Sequence, residues 1–400
     1  RVFSVRGAGT VVTGTLPAGT VRVGDTLAVG DTSLRVRGLE TLGRPVSEVR
    51  GVARVALNLA GRLPVDLRRG TALVSTERWH RSTTVDVRLR GSGLPPAQPV
   101  LHIGAAAVAV HVRPLAEDLA RLTLDQPLPL RVGDRALLRD PGSRNLWGVG
   151  VIDPDPAPLR RRGAAAARAK ELDAMEGSPA MHVVARGWVR RSHLARLGVQ
   201  IGPLAAGTIE ADDWLVSAER TATLRKRLAE VVTRRHDPLD PGVPLAAVAH
   251  DLGLPSRALV PSLVRQPFRV EAGRVFRRED DGLPAALAAA LTGLRADLRA
   301  DPFAAPTADR LRELGLDHRG IAALARAGRL IRLAETVVLL PDALDEAMIR
   351  LRTLEQPFTT SDARRALGSS RRVVIPLLEH LDARGLTVRG ADDRRTVAQR

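Results

Sequence analysis

The C-terminal half of the chain repeats one pattern: a Leu-Gly pair, a short polar stretch, then an apolar run at helical spacing. The pairs are Leu197-Gly198, Leu252-Gly253, Leu314-Gly315 and Leu367-Gly368, lying 55, 62 and 53 residues apart. These intervals exceed a two-helix solenoid repeat and fit a small helix-turn-helix module with a β-hairpin appended. The last copy is the most legible. Leu344, Ala347, Met348, Leu351 and Leu354 predict an amphipathic first helix; Phe358 to Ala366 predict a turn and a second helix stopped by Gly368. Ser369 or Ser370 then caps a third helix whose Val374, Leu377, Leu378 and Leu381 face the core. Pro376 should bend that helix or delay its start. Leu386-Thr387-Val388-Arg389 and Arg394-Arg395-Thr396-Val397, flanking Gly390 to Asp393, read as a hairpin wing.

The N-terminal half has a different period. From Val2 to about Ser75, short β-branched runs such as Val11-Val12-Thr13, Leu34 to Arg37 and Val52 to Leu57 alternate with glycine punctuation, the pattern of a small antiparallel barrel. Gly24-Asp25 and Gly133-Asp134 look like tight reversals in matching segments, VRVGDTLAV and LRVGDRALL, which predict two related all-β domains in series. The boundary between them should fall near Trp79 to Thr84. Gly7-Ala8-Gly9-Thr10 lacks the Lys and Ser/Thr of a phosphate loop and runs into a strand, so its glycines are expected to shape a strand and bulge. Asp153-Pro154-Asp155-Pro156-Ala157-Pro158, then Arg160-Arg161-Arg162, reads as a proline-stiffened linker ending in solvated charge. The expected domains are 1–78, 79–158, 159–236, 237–282, 283–341 and 342–400.

Composition adds a partner class. A net charge of +17, carried almost wholly by arginine, favours a polyanion recognised through forked phosphate contacts. Cysteine is absent, which excludes disulfides and thiolate chemistry, and the nine histidines form no metal-ligand spacing, so they are expected to be structural. No apolar run is long enough to cross a bilayer; a cytoplasmic monomer without a membrane partner is the expectation. Within the last copy Arg371 and Arg372 sit on the first turn of the third helix, where cations oppose the macrodipole and a bound phosphate would offset the cost. With Ser370, and with Arg389 and Arg394 or Arg395 flanking the wing tip, they make the candidate nucleic-acid site. Arg257 and Arg319 hold the corresponding places in earlier copies and are expected to be surface charge or linker contacts. Trp188 and Trp214 are expected in a core, and scarce aromatics argue against extensive base stacking.

The residues also resemble a known family. Arg1-Val2-Phe3, Gly7 to Leu16, Gly19 and Val23-Gly24-Asp25 look like domain II of translational GTPases of the elongation factor Tu type. Leu138-Arg139-Asp140, Arg144 and Gly148 to Pro154 resemble the end of domain III in selenocysteine-specific elongation factors (SelB), and Leu367 to Arg372 with Leu386 to Arg389 and Asp393 to Arg395 is similar to that family's last winged helix. The resemblance implies two elongation factor Tu-like antiparallel β-barrels followed by four α/β winged-helix domains. It implies selenocysteinyl-tRNA on the barrels, with Arg1 beside the selenocysteine, an mRNA hairpin at a UGA codon on the last winged helix, and the ribosome as a further partner. GTP and magnesium are expected only through a GTPase domain that is expected to precede Arg1; no residue here carries a GTP motif. Two alternatives stay open: a DNA-binding regulator of tandem winged helices, and a general translational GTPase without a recoding role.

Overall fold

The computed structural model describes residues 1–5, 9–61, 67–278 and 282–398. It divides into two units, Arg1–Leu224 and Arg225–Arg400. Gly7 and Ala8 of the glycine-rich segment lie outside the described residues; the strand that follows them runs Gly9–Leu16.

The first unit opens with a seven-stranded antiparallel sheet whose spine is Gly9–Leu16, Ala53–Ala60 and Thr32–Thr41. A bulge between Val36 and Gly38 resets the alternation, so Leu34, Val36 and Leu39 all point inward. Among the described residues this ladder does not close on itself as a barrel would. A separate ribbon, Thr20–Arg22 with Glu48–Arg50, inserts Val21 and Val49 into the same core, so the module closes by packing. The second β module is a closed six-stranded barrel, running from Arg81–Arg90 through Leu119–Pro129, Ala106–Pro114, Val100–Ile103 and Arg135–Arg139 to Leu146–Asp153.

Both modules use one turn. The Arg22 amide donates to the Asp25 carboxylate and the Arg131 amide to Asp134, each at 2.8 Å, with Gly24 and Gly133 at φ 98° and 88°. The intervening glycine supplies the positive φ that such a turn needs.

Past the barrel come α1 (Ala164–Met175), α2 (Met181–Arg186), strand Trp188–Arg190, α3 (Arg191–Arg196) and a hairpin, Ile209–Ala211 with Trp214–Val216. The segment expected to be a linker is instead a packed seam. Leu172 and Met175 of α1 share a core with Leu115, Leu119 and Ile152 of the barrel. Beside them, Arg121 grips Asp86 at 2.7 and 2.9 Å, Arg168 joins Asp86 (2.8 Å) to Asp153 (2.5 Å), and Arg186 holds Asp153 at 2.6 Å. Asp86 and Asp153 are 0% and 1% exposed. Arg160, Arg161 and Arg162 remain exposed, as expected of solvated charge.

Helix α4 (Ala218–Arg234) continues the chain; Arg227, Arg234 and Arg235 near its end bond to Asp251. The expected boundary at 236 therefore falls after a helix whose basic end is bonded to the residues beyond it. The second unit then runs through α5 (Leu245–Leu252), α6 (Leu259–Leu263) and a three-stranded sheet, α7 (Ala285–Ala300), α8 (Ala308–Glu313), α9 (His318–Arg326) and a hairpin, and α10 (Ala343–Arg352), α11 (Thr360–Leu367), α12 (Arg371–Ala383) and a last hairpin. One continuous core extends from Leu287 to Leu381, so the expected boundary at 341 cuts through packed side chains.

All four Leu-Gly pairs end helices. Gly198, Gly253, Gly315 and Gly368 take φ of 82°, 65°, 72° and 64°, while Leu197, Leu252 and Leu367 are at most 1% exposed. A left-handed residue stops each helix while the leucine before it anchors the stop. At Gly315 and Gly368 an added Cβ meets nothing within 4 Å, so alanine should cost only the backbone strain, about 1 kcal/mol. At Gly198 the Cβ would lie 2.9 Å from that of Arg131, and alanine should cost more. Urea unfolding of the three variants checks this ranking; equal costs would show that the Arg131 contact adds nothing.

Candidate nucleic-acid interface

The helix beyond each Leu-Gly stop differs in length. After Gly198 no helix forms before the hairpin; after Gly253 comes the five-residue α6, after Gly315 the nine-residue α9, and after Gly368 the thirteen-residue α12. Only α12 offers three turns, the length needed to present a face to a nucleic-acid groove or loop.

The shorter helices are also encumbered. On α9, Arg319 pairs with Asp237 and Arg326 donates to the Leu239 carbonyl at 3.0 Å, so the acidic segment 237–240 covers that face. Arg257, before α6, is exposed. Trp188 and Trp214 are half-buried, with the guanidinium groups of Arg220 and Arg190 at 4.4 and 5.0 Å from their rings, which leaves less of each ring free for a base than an open platform would.

In the last module the Thr359 side chain caps α11 through the Asp362 amide. Asp362 returns the bond to the Thr359 amide at 2.9 Å and takes the Thr359 hydroxyl at 2.6 Å. Those bonds, with Arg365, push the Asp362 carboxyl down to about 2. α12 starts at Arg371 and continues through Pro376, so the proline does not delay its start. Ser370 is its N-cap but makes no side-chain capping bond, while Ser369 donates to the Phe303 carbonyl at 2.6 Å.

The candidate arginines have different fates. Arg371 is exposed and makes no side-chain hydrogen bond or ion pair among the described residues. Arg372 donates to the carbonyls of Ala305 (2.6 Å) and Pro306 (3.1 Å). Arg389 is exposed on the wing and paired with Asp393 at 2.6 Å; Arg394 is exposed with Asp392 at 3.6 Å. Arg395 is 5% exposed, its Nε donating to Asp382 at 2.8 Å, so it holds the wing against α12 from inside the fold and presents nothing at the tip. Reading from sequence missed Ile375, 43% exposed one turn after Arg371, and Val388, 61% exposed on the wing. The i, i+4 spacing of Arg371 and Ile375 was the available signal.

A concavity of about 440 Å³ lies on the first β module, lined by Arg1, Phe3, Thr13, Glu40, Leu42 and Arg54 among others. The Arg1 carbonyl accepts from the Thr13 amide at 2.8 Å, which fixes the strand that carries it. Arg54 Nη2 lies 3.4 Å from the Thr13 hydroxyl. Its place beside Arg1 follows from strand pairing, a signal no linear motif carries.

Residues 82–158 match a family described as the selenocysteine-specific elongation factor β-barrel domain, and residues 350–396 one described as the elongation factor SelB winged helix. A selenocysteine-specific elongation factor of Escherichia coli K12 is 38% identical over 169 residues, 41% of this chain and 27% of that protein. One from Desulfomicrobium baculatum is 27% identical over 98% of this chain and 70% of its own length. In fold, a bacterial selenocysteine-specific elongation factor crystal structure superimposes with a TM-score of 0.69 at 20% identity, covering all of this chain and 68% of that one. The chain thus spans about a quarter of the first relative's length and about two thirds of the other two.

Proposed function

We propose, from the premise that this chain belongs to the selenocysteine-specific elongation factors, that it joins two RNAs in one delivery event. The β modules hold selenocysteinyl-tRNA, and the last module, a winged helix, grips an mRNA hairpin beside a UGA codon at the ribosome. The observation that carries this reading is α12: the longest of the helices after the four stops, with an exposed, unpartnered Arg371 at its N-terminus. Arg371, Arg389 and Arg394 then bind phosphates, while Ser370 adds a hydroxyl beside them. Ile375 meets an unstacked base, the part of an RNA hairpin that carries sequence identity. Arg372 and Arg395 act by holding the surface in shape. Both RNAs on one chain raise the local concentration of charged tRNA at the recoded codon. GTP and magnesium are assigned to no residue here; a GTPase domain joined to this chain would supply both, in the cytoplasm where translation runs.

The test is a titration of the full chain with an mRNA stem-loop, duplex DNA and a random single strand. The stem-loop should bind most tightly; preference for the duplex would favour a DNA-binding regulator and defeat the proposal.

In the same reading Arg1 and Arg54 surround the aminoacyl group. A selenol ionises more readily than the serine hydroxyl of the precursor, so a cation favours the selenolate and rejects the neutral group. Arg1→Ala should narrow discrimination between selenocysteinyl- and seryl-tRNA by roughly tenfold, the effect of one pKa unit. Unchanged selectivity in competition binding discards this role.

A further inference from the structure

Three side chains that no sequence spacing connects meet at the seam of the first unit. His80 immediately precedes the first barrel strand, Asp155 lies just past the last, and His193 is on α3. His193 Nε2 is 2.9 Å from Asp155 Oδ2, and His80 Nε2 is 3.6 Å from Asp155 Oδ1. One ligand atom from each lies within 4.8 Å of the others. The imidazoles stand edge to face, ring centres 5.5 Å apart, so both Nε2 atoms converge on one carboxylate.

We propose that His80, Asp155 and His193 form a divalent metal site of the zinc class that staples the first helical segment to the second barrel.

Zinc takes imidazole nitrogen and carboxylate oxygen at about 2.0–2.2 Å, which places neighbouring ligands in a tetrahedral shell roughly 3.3 Å apart. The two imidazole–carboxylate separations bracket that value, and the three ligand atoms lie within 4.8 Å of one another, so side-chain rotation alone can close the shell. Two nitrogens and one oxygen suit zinc, cobalt or nickel and disfavour magnesium and calcium, which take oxygen sets. A chain without cysteine has only such a set to offer.

The surroundings fit a neutral-imidazole site. Burial pushes His80 below its ordinary value, outweighing the pull of Asp155. The Asp155 carboxyl is held below its ordinary range, first by the hydrogen bond from His193. Its side chain is 44% exposed, which leaves an entry path and room for water as fourth ligand. Arg196 Nη2 sits 3.5 Å from His193 Nδ1. Metal on Nε2 requires the ring proton on Nδ1, so Arg196 turns away from it. That same arginine sets the affinity below that of a site free of nearby cations.

The experiment uses the untagged full chain, stripped of metal by chelator. Zinc titrated against a colorimetric chelator should show one saturable ion per chain and a raised midpoint of thermal unfolding; cobalt should give the visible absorption of a low-symmetry nitrogen and oxygen site. The same ion uptake should survive in His102→Ala, on the barrel, and be lost in His80→Ala/His193→Ala. Asp155→Asn, which keeps the size of the side chain, should weaken uptake at least tenfold and guards against a double variant that fails to fold. No saturable uptake by the wild-type chain, or equal uptake by Asp155→Asn, overturns the site. RNA binding through α12 is measured separately and is unaffected by either outcome.

Discussion

Asp153→Asn should cost the first unit about 3–5 kcal/mol, the usual penalty for breaking a buried ion pair from one side. Arg168 and Arg186 both terminate on this carboxylate; asparagine takes the carboxylate from Arg186 and leaves Arg168 only Asp86 and Glu171. Burial alone would raise the Asp153 carboxyl; the charges of Arg186 and Arg168 and the Asp155 amide outweigh it and hold the group below its ordinary range. A carboxylate so depressed stabilises the fold fully above its unfolded value near 4 and loses that contribution as pH falls through its folded value. His182, 1% exposed beside Arg186, acts earlier in an acid titration. Burial pushes its imidazole down to about 4, so the unfolded chain binds the proton first and stability declines from about pH 6.5 downward. Between about pH 7 and 5 the loss should be on the order of 2 kcal/mol. Hydrogen exchange of amides in α1 and α2 reads both effects locally, without assuming that the two units unfold together. Protection in Asp153→Asn within a few tenths of a kcal/mol of wild type would show that the seam rests on its apolar core alone.

That seam marks where sequence reasoning stops. Asp153-Pro154-Asp155-Pro156 carries every local mark of a linker, and Arg168 within AAAARAKEL reads as surface charge on a helix. Asp153 and Arg168 are buried because Asp86, eighty-two residues before Arg168, faces the guanidinium across the barrel wall. No periodicity encodes that pairing. The Leu-Gly stops and the Val-Gly-Asp turns were legible for the opposite reason: a positive-φ glycine beside a buried leucine, or a carboxylate folding back on an amide three residues away, is settled within one turn of chain. The helical run expected after Gly198 does not form, because Gly202-Pro203 and Gly207 interrupt the segment. The site arginines fall between these cases. Arg371 and Arg372 are adjacent and identical in sequence, and the carbonyls of Ala305 and Pro306, over sixty residues away, decide that only the second is held by the fold. Arg395 differs from Arg394 by strand alternation, which turns one side chain inward to Asp382 and the other to solvent.

Arg371→Ala should weaken stem-loop binding by roughly tenfold or more, the cost of one charge-assisted phosphate contact. Two features make this the most sensitive position. The guanidinium is unpaired in the free protein, so binding phosphate breaks no existing bond, and Arg371 is the first residue of α12, whose dipole favours an anion at that end. Arg389 must first leave Asp393, and Arg389→Ala should therefore cost less. Each lost phosphate contact also reduces the dependence of log affinity on log salt by about 1 unit, whereas loss of structure does not act through that slope. Arg372→Ala and Arg395→Ala should lower the unfolding midpoint and leave the salt slope of the folded fraction unchanged. If Arg371→Ala and Arg372→Ala lower the slope equally, the first turn of α12 holds two phosphates, and the division of labour drawn from the Ala305 and Pro306 contacts is wrong. If neither changes it, the RNA lies elsewhere and α12 is a structural helix.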